Sequence, residues 1–294
     1  MNTFSIRDIE NLCGIRAHTL RIWEQRYQFL RPKRKAGNHR LYDSEDLKYL
    51  LRVSFLYHHG HKPSVLSRLN DKELVQLIDK LPPSPVSHEV YINNLFEASL
   101  DYDQVAFDRT LRDVIHRMGF EKAIGRVVFP FLTRIGRLWL SGHVVPAQEH
   151  FVSNIITKKI LIAIDDLDSL PPGTTAKEPV LLFTPNGEFH ELPLLFMRYL
   201  MKKNGLPVIY FGADTSIEAL QQYCVEQPVS TLYFHLVTNL LHCRPEQYVR
   251  KLLEAFPGKT IVTSGSFGES IGDRFPRVRI LTTVADMEAF ARGD

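Results

Sequence analysis

The 294-residue sequence is long enough for two or three domains rather than a single core. Its 44% hydrophobic and 23% charged residues are ordinary for a globular protein, and no apolar run approaches the roughly 18 residues that a membrane span needs. Three widely spaced cysteines exclude a disulfide framework and a CxxC metal site, and the polar N-terminus lacks the apolar core of a signal peptide. We therefore expect a protein of the reducing cytoplasm.

The net charge of +3 is unevenly distributed along the chain. Residues 1–80 contain fifteen Lys and Arg against nine Asp and Glu, which gives +6, and the remaining residues carry −3. A basic segment on a mildly acidic remainder favours contact between that segment and a polyanion. A solvated surface with a random imbalance would explain the charge alone equally well.

Two short helices are predicted at the start of the basic segment. Ser5 can cap a helix over 6–12, Gly14 makes the turn, and a second helix covers about 17–27. Two short helices joined by a turn, the second rich in hydrogen-bond donors, are typical of a recognition helix that enters the DNA major groove. The side chains expected to face inward from this second helix are Leu20 and either Ile22 or Trp23.

A basic, hairpin-like stretch follows over residues 31–42 and turns at Gly37-Asn38. It is typical of a wing that places cations on the phosphate backbone. Asp43-Ser44 then caps another helix.

The order of these features resembles the MerR-type winged helix-turn-helix. The motifs that carry the resemblance are Thr19-Leu20-Arg21-x-Trp23-Glu24-x-Arg26-Tyr27 and Asn38-His39-Arg40-Leu41-Tyr42 followed by Asp46-Leu47. The resemblance covers about the first 70 residues and implies that a dimer binds a near-palindromic operator. A small helical domain with a basic surface is the alternative. The candidate DNA-binding residues are Arg16, His18, Thr19, Arg21, Tyr27, Arg34, Lys35, Asn38, His39, Arg40 and Tyr42.

The middle of the chain is predicted to be helical throughout. A proline-rich stretch at 81–85 ends the first segment as a linker, and a second such stretch lies at 171–175. Between them, apolar residues recur every three or four positions in four stripes, which predicts a four-helix bundle. The predicted domains are a winged helix-turn-helix over 1–80, a helical-bundle cap over 88–170 and an α/β domain over 178–294.

Short apolar runs alternate with helical stretches in the last segment. The runs that predict strands are 180–183, 208–212, 232–237, 260–263 and 278–281. This alternation predicts a doubly wound, Rossmann-like parallel sheet. Ligands of such sheets bind at the carboxyl ends of the strands.

A few side chains in these two segments suit a ligand site. Trp139 ends the third helix of the bundle, and Glu149-His150 opens the fourth. Taken alone, a Trp among helices is a core residue, and a carboxylate at a helix N-terminus complements the helix dipole. His190, however, lies with Glu188 in the first strand-to-helix loop, at the ligand-binding edge of the sheet.

The combination of helical cap and sheet resembles the cobalamin-binding modules of the light-dependent repressors of the CarH/LitR type. Trp-x9-Glu-His in the cap and Glu-x-His in the loop carry this resemblance, and the same module occurs in corrinoid methyltransferases. It spans about residues 90–294, so that with the winged helix it covers the chain in the family's domain order.

The resemblance implies specific roles in binding adenosylcobalamin. His190 would be the lower axial ligand of cobalt, and Glu188 or Glu191 would orient its other ring nitrogen. The residues implied for the upper face and the pocket around an adenosyl group are Trp139, Glu149 and His150.

Several positions depart from the family pattern. The loop has Pro193 where a Gly is usual, His235 replaces the small residue that ends the third strand beside the nucleotide tail, and Ser264-Gly265 replaces a Gly-Gly pair. These changes reshape the groove that holds the tail, and His235, Ser264 and Gly265 are candidate cofactor-binding residues. Leu140 cannot provide the His that captures cobalt after photolysis in some members, and His143 is a candidate replacement.

Two alternatives stay open beside a cobalamin-dependent repressor. The first is a regulator of the same fold that acts without cobalamin, which the groove departures favour. The second is a corrinoid-dependent methyl carrier, against which the DNA-binding segment argues. Because the sequence has no Gly-rich phosphate loop, GxSxG or HExxH motif, we expect no enzyme. The expected partners are operator DNA, cobalamin and further copies of the chain, as a dimer or tetramer.

Overall fold

The computed structural model describes residues 3–27, 33–34, 40–80, 88–140, 146–168, 178–237, 244–265 and 274–294. The chain divides into two compact units, Met1–Ile155 and Ile156–Asp294, and the division falls within a helix. The predicted domain boundaries therefore stay predictions. In the described ranges, no helix has both the length and the apolar composition needed to cross a bilayer.

The first unit begins with a small domain that we call the head. Its elements are β1 (Phe4–Ser5), α1 (Ile6–Cys13), α2 (Ala17–Tyr27), β2 (Lys33–Arg34), β3 (Arg40–Tyr42), α3 (Ser44–His58), α4 (Pro63–Leu66) and α5 (Asp71–Asp79). The three strands form an antiparallel sheet in the order β1-β3-β2. Helix, helix and strand hairpin therefore follow one another as the sequence predicts.

Local hydrogen bonds explain where the helices of the head begin and end. Ser5 and Asp8 form a capping box at the start of α1, and Gly14 ends that helix in the left-handed conformation with φ 66°. Asp43 caps α3, because its carboxylate accepts hydrogen bonds of 3.1 Å from the backbone N–H groups of Glu45 and Asp46. The predicted caps at Ser5 and Asp43 are confirmed.

The other elements described in the first unit are helical. They are α6 (His88–Leu100), α7 (Gln104–Met118), α8 (Phe120–Ala123), a π-helical turn (Ile124–Val128), α9 (Phe129–Leu140) and the start of α10 (Pro146–Asp168). Apolar side chains of each helix are buried, including Leu95, Phe96, Leu111, Val114, Val127 and Ile135. The ring of Phe151 in α10 lies 6.5 Å from that of Phe107 in α7, so the start of α10 packs in the same core.

The second unit is a five-stranded parallel sheet covered by helices on both faces, as predicted. The elements are β4 (Val180–Pro185), α11 (Leu192–Lys203), β5 (Val208–Thr215), α12 (Ile217–Glu226), β6 (Thr231–His235), α13 (Pro245–Ala255), β7 (Thr260–Ser264), β8 (Val278–Leu281) and α14 (Val284–Arg292). The strand order is β5-β4-β6-β7-β8. Since β4 is followed by one neighbour, β5, and then by the other, β6, the topological switch point lies at the carboxyl ends of β4 and β6.

The two faces of the sheet have separate cores. Leu181 and Phe183 of β4 and Phe234 of β6 belong to one cluster with residues of α12 and α13. Helices α11 and α14 contact each other and pack on the opposite face. Because side chains of a strand alternate between faces, Tyr233 and His235 of β6 face the α11 and α14 side.

Candidate functional site

Helix α2 presents one polar face to solvent. Leu20 and Trp23 are buried, and the Trp23 ring contacts that of Tyr57 at a centroid distance of 4.8 Å. Ile22 is 47% exposed, so Trp23 is the inward residue that the sequence left undecided. The other exposed residues on or just before this helix are Arg16, His18, Arg21, Gln25 and Arg26.

The wing strand β3 is tied to α2 by an ion pair. Arg40 Nε donates to Glu24 Oε2 at 2.6 Å, so Arg40 fixes β3 against α2 whether or not it also reaches a phosphate. Tyr42 is only 2% exposed, and burial raises the pKa of its hydroxyl to about 12. Its expected place on the DNA-binding surface is corrected, because the ring lies in the core of the head.

The remaining candidate DNA-binding residues lie partly on α2, partly on β2 and partly outside the described residues. Thr19 Oγ1 lies 3.5 Å from His18 Nδ1, and Tyr27 is half-buried under the guanidinium of Arg26. Arg34 belongs to β2, where only the backbone is described. The candidates that lie outside the described residues are Lys35, Asn38 and His39.

The cap residues lie at the end of α9 and the start of α10. Trp139 is in the last turn of α9, where only the backbone is described, and His143 lies outside the described ranges. Glu149 accepts a hydrogen bond from Ser153 Oγ at 2.5 Å, and its other oxygen lies 3.1 Å from His150 Nδ1. Ser153, one turn further along, was not among the predicted site residues. Carboxylate and imidazole are thus brought together, while the pocket predicted around them stays a prediction.

The loop after β4 holds an oriented imidazole. Glu188 is completely buried, and its Oε1 accepts hydrogen bonds from the backbone N–H and the ring Nδ1–H of His190, at 3.0 and 2.6 Å. Its Oε2 accepts from the N–H of Val237, just beyond β6, at 2.9 Å. Glu191 instead accepts from the Tyr210 hydroxyl at 2.6 Å. Of the two carboxylates left open by the sequence, Glu188 therefore orients His190, and Nε2 is the nitrogen that would ligate a metal.

A second polar group lies where β6 and β7 end. His235 Nδ1 is 2.7 Å from Ser264 Oγ, which is 2.5 Å from the hydroxyl of Tyr233. Burial lowers the pKa of His235 to about 4. Tyr233 was missed by the sequence reasoning, although strand alternation places it on the same face as His235.

Gly265 follows β7 in a conformation that requires glycine. Its φ is 115°, and a Cβ at this position would lie 1.9 Å from the carbonyl oxygen of Leu236. The chains that leave β6 and β7 therefore approach each other more closely than a side chain would permit. Pro193 lies in the first turn of α11, where a missing N–H costs no helical hydrogen bond.

These residues fit a corrinoid at the carboxyl edge of the sheet. A cobalt ion held by a corrin ring needs one axial donor from the protein, and His190 backed by a buried carboxylate is such a donor. Among the described residues, His235 Nε2 is buried without a hydrogen-bond partner, and Gly265 places no side chain where the backbones leaving β6 and β7 meet. Both features suit a ligand with polar atoms that inserts beside the strands.

Comparison with known proteins gives two matched families. Residues 4–72 match the MerR HTH family regulatory protein, and residues 91–163 match the B12 binding domain. The second match lies on the helical region from α6 to α10 rather than on the sheet.

Two relatives from Myxococcus xanthus are similar over most of their length. The chain is 33% identical over 229 residues to the HTH-type transcriptional repressor CarA, which covers 76% of this chain and 73% of CarA. It is 28% identical over 228 residues to the HTH-type transcriptional repressor CarH, and the aligned residues cover 74% of this chain and 73% of CarH. Among solved structures, the monomethylamine corrinoid protein of Methanosarcina barkeri shares the fold with a TM-score of 0.57 and 10% identity, over 70% of this chain and 99% of that one.

Proposed function

Because the chain belongs to the family of MerR-type HTH transcription repressors with a B12-binding domain, we propose that it represses transcription under the control of adenosylcobalamin and light. Adenosylcobalamin in the dark favours the assembly that binds the operator, and illumination reverses this. We assign it no catalytic reaction, since a DNA-binding head has no role in methyl transfer.

The head supports DNA binding through α2 and the wing. Arg21 and His18 point to solvent from α2, as donors must in order to reach base edges in the major groove. The Arg40–Glu24 pair holds β3, the strand that ends the wing, against α2. Phosphate contacts from the wing then fix the register of α2 on the operator.

The observation that carries the corrinoid part is the contact between His190 and buried Glu188. Glu188 accepts hydrogen bonds from three N–H groups and cannot reorient freely, so the imidazole is held in one tautomer, whose Nε2 would ligate the cobalt. Adenosylcobalamin supplies a cobalt–carbon bond that visible light breaks. Trp139, Glu149 and His150 form the part of the cap that senses whether the adenosyl group is present.

Control of DNA binding requires two states with different ligand affinity. A ligand that binds both states equally shifts no equilibrium, however tightly it binds. We propose that the two states are assemblies of different size, a larger one formed with adenosylcobalamin in the dark and a smaller one after illumination. The larger assembly presents two heads to a near-palindromic operator.

The test measures oligomer size by sedimentation and operator affinity by gel shift, in the dark and after illumination, with and without adenosylcobalamin. We expect adenosylcobalamin in the dark to increase one or both quantities, and light to return them to the ligand-free values. His190→Ala should lose the His-ligated absorption spectrum and most of the cobalamin affinity, while His116→Ala, at an exposed position of α7, should change neither.

Two results would contradict this proposal. Identical behaviour in all four conditions would favour a regulator of the same fold that acts without cobalamin. If His190→Ala has the same cobalamin affinity and absorption spectrum as the wild type, His190 is not the cobalt ligand.

A further inference from the structure

The polar row at the ends of β6 and β7 contains three buried groups. The Tyr233 hydroxyl, Ser264 Oγ and His235 Nδ1 follow one another at 2.5 and 2.7 Å. His235 is 6% exposed, and its Nε2 has no hydrogen-bond partner in the described part of the chain. A buried polar atom without a partner is rare in folded proteins and calls for an explanation.

Counting hydrogens along the row assigns the tautomer of His235. If Tyr233 donates to Ser264 and Ser264 donates to Nδ1, both hydroxyl hydrogens are used and the ring proton lies on Nε2. If the ring proton is on Nδ1 instead, Nδ1 donates to Ser264, and either the Ser264 or the Tyr233 hydroxyl hydrogen is left without an acceptor among the contacts given above. The first arrangement is favoured because each unused buried hydroxyl hydrogen has an energetic cost. His235 therefore presents an unfilled Nε2–H donor.

The imidazole is also neutral at physiological pH. Burial lowers the pKa of His235 to about 4, the charge of Glu188 acts in the opposite direction, and His190 acts in the same direction as burial. His235 lies near the Glu188–His190 pair, since Val237, two residues after His235, donates its backbone N–H to the Glu188 carboxylate. The unfilled donor and the cobalt-ligand candidate thus lie at one edge of the sheet.

A corrinoid bound by His190 would bring a hydrogen-bond acceptor to this edge of the sheet. Ligation of cobalt by His190 would leave the nitrogenous base of cobalamin free of the metal. The nucleotide tail carries a base nitrogen and phosphate oxygens as hydrogen-bond acceptors. We propose, on the basis of the proposed cobalamin binding, that His235 donates from Nε2 to this nucleotide tail and selects corrinoids that carry it.

The test compares adenosylcobalamin with adenosylcobinamide, which has the same corrin ring and upper ligand but no nucleotide. Dissociation constants are measured by absorbance titration for the wild-type chain, His235→Phe, His235→Gln and the control His116→Phe. We expect the wild type to prefer adenosylcobalamin. His235→Phe should reduce that preference about tenfold through weaker adenosylcobalamin binding alone. His235→Gln, which keeps an N–H donor, should retain part of the preference, and His116→Phe all of it.

A purely structural role for His235 would give a different result, because His235→Phe would then weaken both corrinoids equally. That outcome, or an unchanged preference in His235→Phe, would overturn the proposal and leave cobalamin binding intact. Equal affinity of the wild-type chain for the two corrinoids would overturn it without any variant. Failure of the wild type to bind either corrinoid would overturn the proposed function as well.

Discussion

Ile22 and Trp23 are neighbours in α2, but Trp23 is buried and Ile22 is exposed. We predict that the exposed Ile22 contacts DNA bases. Trp23 packs in the head, whereas Ile22 is 47% exposed between Arg21 and Gln25 on the face expected to enter the major groove. The C5-methyl group of thymine is the apolar feature of that groove, and small apolar side chains contact it. We therefore expect Ile22 to pack against a thymine methyl group.

Replacing thymine by uracil in the operator tests this residue, because uracil lacks only the methyl group. At one position of the operator, uracil should weaken wild-type binding by about 0.8 kcal/mol, roughly fourfold, and should leave the affinity of Ile22→Ala unchanged. Gel shifts measure both. Ile162→Ala removes an equally exposed side chain, 47%, from α10 and should behave as the wild type. Equal sensitivity of Ile22→Ala and wild type to every uracil would contradict the expectation.

At the scale of elements, the ends of β6 and β7 are held closer together than ordinary strand ends. The N–H of Leu236 donates to the carbonyl oxygen of Ser264 at 3.0 Å, so the pairing of the two strands continues to the edge where the site lies. Gly265 follows at φ 115°, against the Leu236 carbonyl. Both contacting groups are backbone and cannot move aside as a flexible side chain would.

Gly265→Ala should consequently destabilise the second unit. We expect a loss of about 2 kcal/mol or more in the free energy of unfolding, because the added Cβ meets backbone atoms and φ is unfavourable for alanine. Chemical denaturation measures the loss. Gly258→Ala is the matched control, since nothing lies within 4 Å of a Cβ there and its φ is unexceptional. Equal stability of the two variants would show that the close approach at Gly265 relaxes at little cost.

At the scale of the whole molecule, the head and the helical region of the first unit are joined by ion pairs. Lys48 of α3, with 8% of its side chain exposed, lies 2.6 Å from Asp101 just after α6. Arg52 of α3 pairs with Glu97 of α6 and with Asp71 of α5. A cavity of about 320 Å³ opens beside these pairs. Charged contacts therefore contribute to the position of the head on the helical region.

A double-mutant cycle of Lys48→Met and Asp101→Asn should measure this junction. We expect a coupling free energy of about 1 kcal/mol, since Lys48 is largely shielded from water while Asp101 is half-exposed. The matched control is the exposed pair of Arg117 and Asp113 within α7, for which about 0.3–0.5 kcal/mol is expected. Urea denaturation gives both values. A Lys48–Asp101 coupling no larger than that of the control pair would mean that the contact contributes little to holding the head.

The sequence by itself determined the features that depend on neighbours along the chain. The caps at Ser5 and Asp43 lie within three residues of the groups that they bind, and the strand and helix patterns follow from periods of two and about 3.6 residues. The place of His190 after the first strand of the sheet follows in the same way, since the order of elements is the order of the chain.

Only the tertiary structure decided which of several equivalent side chains carries each contact. Glu188 and Glu191 are both within two residues of His190, and the choice depends on Tyr210 of β5, which binds Glu191, and on the N–H of Val237, which binds Glu188. These partners are 19 and 49 residues away along the chain. The burial of Tyr42 and the row from Tyr233 through Ser264 to His235 likewise depend on strands that meet only after folding. A local pattern specifies an element and its faces, whereas the partner of a polar atom depends on distances between segments that no local pattern contains.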